Sequence, residues 1–137
     1  MVSFNFIMIK ERLNKNFLEE FENYNFSQIN EEKIFLVGSI RFKEYFIRIE
    51  SILQILYKKI VGICSVDGLL NKKKFSQEEW DKLQEIALRK LHYYDAILVI
   101  DVDGYIGDQT NEEINYFQNI LNRSIYYFSR LKKSIIP

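Results

Sequence analysis

The stretch KIFLVGSIR, residues 33–41, joins an uninterrupted apolar run to a glycine and two polar residues. A continuous apolar run that stops sharply at a glycine, here Gly38, is typical of a strand covered by helices on both faces. The residues that follow it carry apolar side chains at spacings of three and four, which predicts a helix. The apolar stripe of that helix consists of Phe42, Phe46, Ile49, Leu53 and Leu56. The stretch therefore predicts a strand, a loop and a helix.

The same alternation continues along the chain. Further strands are predicted at residues 60–64 (IVGIC) and 95–100 (DAILVI), and a last strand, SIYYF, begins at Ser124. Ser76 and Glu79 form a predicted capping box for a second helix, and Thr110 and Glu113 form one for a third. Because helical crossovers connect parallel neighbours, we expect one α/β domain with a central, mostly parallel sheet of four to five strands flanked by helices, in a flavodoxin-like or Rossmann-like arrangement.

The first part of the chain does not join this alternation. Residues 1–32 are interpreted as an N-terminal extension that packs on the domain or on a partner, and residues 33–137 as the α/β domain. A strand and a short helix are predicted around Phe17, Leu18, Phe21 and Tyr24.

Composition excludes several classes of function. The 137 residues fit one domain, and 19 basic against 19 acidic residues leave no net charge, which argues against binding to a nucleic acid polymer or a membrane surface. The single cysteine, Cys64, excludes an internal disulfide and fits a reducing cytoplasm. The one histidine, His92, lies far from it in sequence, which gives a zinc site little basis, and we place His92 at a helix end. We expect no metal and no cofactor.

The edge of the sheet at the carboxyl ends of the strands is the expected place for a ligand. The first loop at this edge, Gly38 to Arg41, leads into the N-terminus of the predicted helix. The unpaired backbone N–H groups at a helix N-terminus favour binding of a phosphate. Ser39 would add a hydroxyl and Arg41 a two-pronged charged donor. The alternative is an ordinary helix cap beside a solvated arginine.

A second loop at the same edge follows the strand DAILVI, in the sequence DVDGYIGDQTNEE, residues 101–113. Asp103 and Gly104 stand where the strand should end, and Tyr105 would either stack on a base or cover the loop. A carboxylate here, such as Glu113, suits attack on the anomeric carbon of a sugar. The alternative is that Glu113 only reaches back to the N-terminus of its helix as the capping partner of Thr110.

Together, KIFLVGSIR and YDAILVIDVDGYIGDQTNEEINY resemble the nucleoside 2-deoxyribosyltransferase-like superfamily, over roughly residues 33–129. That group includes transferases that exchange nucleobases and a branch that hydrolyses the N-glycosidic bond of deoxynucleoside 5′-monophosphates. The stretch VDGYIGD is similar to an uncharacterised bacterial branch. The resemblance implies an enzyme that cleaves or exchanges an N-glycosidic bond, acts on a small nucleoside or nucleotide without a metal, and assembles as a homodimer or higher homo-oligomer.

The resemblance also implies residue roles. Its phosphate loop corresponds to Gly38, Ser39, Ile40 and Arg41. Asp103 and Gly104 correspond to an Asp-Gly pair beside the sugar, Thr110 to a threonine of the ligand site, and Glu113 to the nucleophile, with Asp103 contacting the sugar or orienting that glutamate.

One departure from the family pattern leaves alternatives open. Ala87 stands where the catalytic families carry an acidic residue, and the nearest acid is Glu85. A non-catalytic nucleotide-binding or regulatory domain that has lost this acid is therefore the second hypothesis. An interaction module that docks through residues 1–32 is the third.

Overall fold

The computed structural model describes residues 19–63 and 75–133, in which strands and helices alternate. The elements are β1 (Lys33–Gly38), α1 (Lys43–Ile55), β2 (Ile60–Ile63), α2 (Gln77–Leu91), β3 (Ala96–Ile100), α3 (Asp108–Asn115) and β4 (Ser124–Tyr127). The four strands form one parallel sheet in the order β2-β1-β3-β4. The predicted α/β class and parallel sheet are confirmed, with a Rossmann-like or flavodoxin-like arrangement.

The two central strands are covered on both faces. Alternate residues of β1 point to opposite sides, so Ile34 and Leu36 pack toward α1 while Phe35 and Val37 pack toward α2 and α3. All five residues of β3 are buried. The first core contains Phe46, Ile49, Ile52 and Leu53 of α1, and the second contains Leu91, Ile114 and Phe117. The continuous apolar run of each central strand thus reflects burial between two helical layers.

The start of α2 follows the prediction, whereas the end of α1 does not. The Ser76 hydroxyl accepts a hydrogen bond from the Glu79 backbone N–H at 3.1 Å, and the Glu79 carboxylate accepts one from the Ser76 N–H at 2.8 Å. This capping box is confirmed. Helix α1 ends at Ile55, and Leu56, predicted as part of its buried stripe, is 51% exposed because it lies beyond the last turn.

The predicted cap of α3 is wrong. The helix begins at Asp108, and Gly107 occupies the capping position without a side-chain hydrogen bond. Thr110 is therefore the third residue of the helix, and its side chain is buried. Beyond Asn115 the chain continues as a π-helical turn, Tyr116–Ile120, which buries Phe117.

The described part of the N-terminal region packs on the sheet. Phe21, Phe26 and Ile29 are buried in the same core as α1. The Lys59 ammonium donates hydrogen bonds to the backbone oxygens of Ile29, at 3.1 Å, and Glu31, at 2.7 Å. The region thus shares the core of the α/β sheet, and it contains a short 3₁₀ turn at Phe26–Gln28.

Several predictions fall on residues outside the described ranges. These are the strand and helix around Phe17 and Leu18 and the end of the predicted strand 60–64 at Cys64. Within residues 19–63 and 75–133, no helix combines the length and apolar character needed to cross a membrane.

Asp101, directly after β3, ties this strand to the loop that follows β4. It is only 4% exposed. Its carboxylate accepts hydrogen bonds from the Ser129 backbone N–H at 2.8 Å and from the Ser129 hydroxyl at 2.7 Å. These two bonds join residues 28 positions apart and connect two loops at the carboxyl edge.

Replacement of Asp101 tests the contribution of these hydrogen bonds to stability. Asp101→Ala should lower the free energy of unfolding by about 2–3 kcal/mol, because it removes the two hydrogen bonds that Ser129 donates to a charged acceptor. Urea denaturation followed by circular dichroism measures the change. The matched control is Asp95→Ala, which removes an exposed carboxylate at the other end of β3 and should change stability by less than about 0.5 kcal/mol. Equal losses in the two variants would contradict a structural role for Asp101.

Candidate functional site

The loops that follow β1 and β3 meet at the carboxyl edge of the sheet. The guanidinium carbon of Arg41 lies 3.9 Å from the centre of the Tyr105 ring. The ring of Phe42 contacts the same tyrosine edge to face, with 6.0 Å between ring centres. The structure therefore brings together the two loops that were selected from sequence.

The loop after β1 depends on a close backbone approach at Gly38. A Cβ atom on this residue would lie 3.0 Å from the Ile100 carbonyl oxygen and 3.1 Å from the ring of Phe46. Only a glycine allows the end of β1 to fit between β3 and α1 in this way. Ser39 then caps a 3₁₀ turn, Ile40–Phe42, by accepting a hydrogen bond from the Arg41 N–H at 3.3 Å. The hydroxyl hydrogen of Ser39 stays available to an acceptor.

The loop after β3 turns through two left-handed residues. Asp103 has a φ of 54° and Gly104 a φ of 79°. This turn places the exposed Asp103 carboxylate on the surface, where it forms no hydrogen bond with any described residue. Asp101, two residues earlier, is buried and bonded to Ser129. Sequence reasoning missed Asp101 because its partner is distant along the chain.

Glu113 lies inside the protein, on the face of α3 that packs against the sheet. It is 7% exposed and shares this face with Thr110, Ile114 and Phe117. Its carboxyl forms no hydrogen bond with any residue of the described ranges, so its interpretation as a capping partner is wrong. Burial, followed by the negative charge of Glu112, raises the pKa of Glu113 to about 7.

The predicted residues divide between the two sides of the sheet edge. Arg41 and Tyr105 lie on the α1 side, in contact with Phe42, which packs on the first core. Glu113 lies on the side of α3 and the second core. Among the residues described, no hydrogen bond or ion pair joins Glu113 to Arg41 or Asp103. A ligand that engages both would have to span the edge.

A polar groove of about 420 Å³ lies between α2 and α3. Its lining consists of Gln77, Trp80, Asp81, Gln84, Asp108, Gln109 and Glu112. The Gln109 amide donates a hydrogen bond to the Gln84 side-chain oxygen at 2.6 Å, which joins the two helices. The groove contains none of the residues predicted for the site, although Glu112 adjoins Glu113.

Helix α2 presents no buried acid near the position that the family resemblance emphasised. Ala87 is half-buried, and Glu85 is exposed. His92 lies at the end of this helix, as predicted, and its ring is hydrogen bonded to the Tyr116 hydroxyl at 2.6 Å. The described residues contain no group of three or more His, Cys, Asp or Glu side chains placed to hold a metal ion.

Compared with known proteins, the chain matches no family model, no curated protein and no solved structure. The family resemblance therefore rests on the two motifs and the order of elements.

The buried Glu113 carboxyl should make stability depend on pH. Its pKa is about 7 in the folded chain and near the ordinary 4.5 in the unfolded chain, so the folded state binds the proton more tightly. The resulting stabilisation is complete below pH 4.5 and is lost as pH rises to about 7. The loss amounts to about 3 kcal/mol in the free energy of unfolding.

Urea denaturation between pH 4.5 and pH 8 measures this dependence. Glu113→Gln should remove most of the decline, because the amide does not titrate. Glu85→Gln, which replaces an exposed carboxylate, is the matched control and should retain the decline. A parallel pH dependence in Glu113→Gln and the wild type would show that Glu113 titrates normally.

Proposed function

We propose that this protein cleaves or exchanges the N-glycosidic bond of a nucleoside 5′-monophosphate, with Glu113 as the nucleophile. The proposal combines the resemblance of the two motifs with the position of Glu113. It includes the homo-oligomeric assembly and the cytoplasmic location that the sequence predicts.

The observation that carries the proposal is that Glu113 is only 7% exposed while its carboxyl forms no hydrogen bond with a described residue. A charged carboxylate in such a place is destabilised unless a positive charge comes close. The transition state of glycosidic cleavage develops such a charge on the anomeric carbon. Glu113 would therefore interact more favourably with the transition state than with the neutral substrate, which is the condition for catalysis.

The phosphate would bind on the loop after β1. Arg41 forms no ion pair with a described carboxylate, and the ring of Tyr105 lies against its guanidinium. This contact orders the side chain while its N–H groups stay free for an anion. The Ser39 hydroxyl, beside the Arg41 backbone N–H, is a further donor.

The reaction begins when a Glu113 carboxylate oxygen attacks the anomeric carbon. A bond forms between this oxygen and the carbon, and the bond from carbon to base nitrogen breaks. The electron pair of the broken bond stays on the base, which takes up a proton. Water or a second base then displaces Glu113 from the sugar, releasing one proton, and regenerates the carboxylate.

Non-catalytic nucleotide binding is the second candidate function, and α2 favours it. The half-buried Ala87 offers no proton to a departing base, and the nearest acid, Glu85, is exposed to solvent. The phosphate loop would be unaffected by this loss. The two candidates thus differ in turnover and share the phosphate site.

A turnover assay tests the proposed reaction. Incubation with ribo- and deoxyribonucleoside 5′-monophosphates should release free base, detected by liquid chromatography. Glu113→Gln should slow release by at least about 100-fold, since the amide is a poor nucleophile. Glu85→Gln should leave the rate within about twofold of the wild type, which is less than 0.5 kcal/mol in the barrier. Base release that persists in Glu113→Gln would exclude Glu113 as the nucleophile.

A binding comparison tests the phosphate site. Arg41→Ala should weaken binding of a monophosphate by about 10- to 100-fold, the loss expected for one charge-assisted contact, and leave the unphosphorylated nucleoside unaffected. Arg89→Ala removes an exposed arginine from the last turn of α2 and should change neither affinity. Titration calorimetry measures both. Monophosphate binding without base release would support the non-catalytic candidate, and absence of binding would contradict both.

A further inference from the structure

A continuous row of aromatic rings runs along the α1 side of the carboxyl edge. Tyr24 stacks on Phe128, with 4.2 Å between ring centres and 12° between ring planes. Tyr45 contacts Phe128 edge to face at 5.8 Å and Phe42 at 6.3 Å. Phe42 in turn contacts Tyr105. The row therefore connects the segment before β1 with the tyrosine that lies against Arg41.

The chain on both sides of Tyr24 is bound to the segment after β4. The Asn25 N–H donates a hydrogen bond to the Leu131 carbonyl at 2.8 Å, and the Lys133 N–H donates one to the Asn23 carbonyl at 2.6 Å. The same segment carries Ser129, which is bonded to Asp101. Tyr24 is thus held in a defined position relative to the loop after β3.

The hydroxyl groups of Tyr24 and Tyr45 are available to a ligand. Both residues are half-buried, and neither hydroxyl forms a hydrogen bond with a residue in the described ranges. Tyr126, by contrast, donates to Glu31 at 2.7 Å. A tyrosine that is partly removed from water normally has a hydrogen-bond partner. Two unpaired hydroxyls on one row are therefore consistent with a ligand site in which the ligand supplies the missing partner.

Negative charge lies near Tyr24. Burial, the neighbouring Tyr45, and then Asp103 and Asp101 raise the pKa of Tyr24. The phenol therefore stays protonated at neutral pH and keeps its O–H as a donor. Asp101 is occupied by Ser129, whereas the exposed Asp103 carboxylate is free to accept a hydrogen bond. Two phenols and one carboxylate together suit a ligand that carries hydroxyl groups.

We propose that Tyr24 and Tyr45, with Asp103, bind the sugar of the ligand through two neighbouring hydroxyl groups, and that the ligand is a ribonucleoside 5′-monophosphate. This inference rests on the proposed function for the phosphate and the nucleoside. Ribose presents hydroxyls at both C2′ and C3′, and each can donate to a carboxylate and accept from a phenol. The 2′-deoxy sugar has only the C3′ hydroxyl of this pair, which leaves some of the three protein side chains without a hydrogen-bond partner.

Calorimetric titration with adenosine 5′-monophosphate and its 2′-deoxy analogue tests the inference. The ribonucleotide should bind at least about 10-fold more tightly. Tyr24→Phe and Tyr45→Phe keep the rings and remove only the hydroxyls. Each should reduce this preference severalfold, because it weakens binding of the ribonucleotide. Tyr93→Phe, which removes a hydroxyl from a side chain that is 76% exposed, should retain the preference. The melting temperature of each unliganded variant checks that the ring contacts are intact.

The possible outcomes separate this inference from the proposed function. Equal affinities for the two nucleotides, unchanged in both phenylalanine variants, would overturn the ribose site and leave the phosphate site supported. A ribonucleotide preference that persists in both variants would also overturn the role of Tyr24 and Tyr45. Absence of binding by either nucleotide would overturn the proposed function, and this inference with it.

Discussion

The pairing of β1 with β3, buried on both faces, is the constraint on which the rest of this structure depends. Residues 34–37 of β1 and all of β3 are apolar and buried, so each face must be covered by a helical layer. Polar residues are then confined to the strand ends. The register that pairs Gly38 with Ile100 brings the two strands to an end together. Two loops consequently leave the sheet side by side, and the contact between Arg41 and Tyr105 follows from that placement.

Two buried carboxylates near this edge differ in how their charge is stabilised. Asp101 accepts two short hydrogen bonds from Ser129, and these bonds offset the cost of removing it from water. Glu113 is buried and accepts no such hydrogen bonds from the described residues, and burial raises its pKa to about 7. The first arrangement is characteristic of a structural residue. The second is characteristic of a group whose proper partner is a ligand, which is why the proposed chemistry centres on Glu113.

Local patterns in the sequence were sufficient for the sheet and for the cap of α2. The runs in β1 and β3 and the Ser76–Glu79 box depend on residues within a few positions of each other. The Thr110–Glu113 pattern misled because the chain already enters the helix at Asp108. From that start, residues 110, 113, 114 and 117 share one face, so the glutamate turns toward the sheet instead of the helix end.

Contacts between distant segments were not predictable in this way. The Asp101–Ser129 bond and the stacking of Tyr24 on Phe128 join residues that no local pattern relates. The contribution of the segment before β1 to the carboxyl edge was consequently missed. The meeting of Arg41 with Tyr105 was foreseeable, since both loops follow strands at the same edge of a parallel sheet. Which side of that edge Glu113 occupies depended on the true start of α3.

The packing of residues 21–29 against the segment after β4 has a consequence for synthesis. The hydrogen bond from the Gln28 side chain to the Leu131 carbonyl closes a loop of 103 residues. At a translation rate of about 5–20 residues per second, Phe21 and Phe26 would wait roughly 5–20 s before Phe128 and Leu131 are made. During that time these apolar side chains lack part of the core that buries them in the folded chain. Residues 21–29 are thus made well before the segment that completes their burial, and they stay partly exposed on the nascent chain until that segment follows.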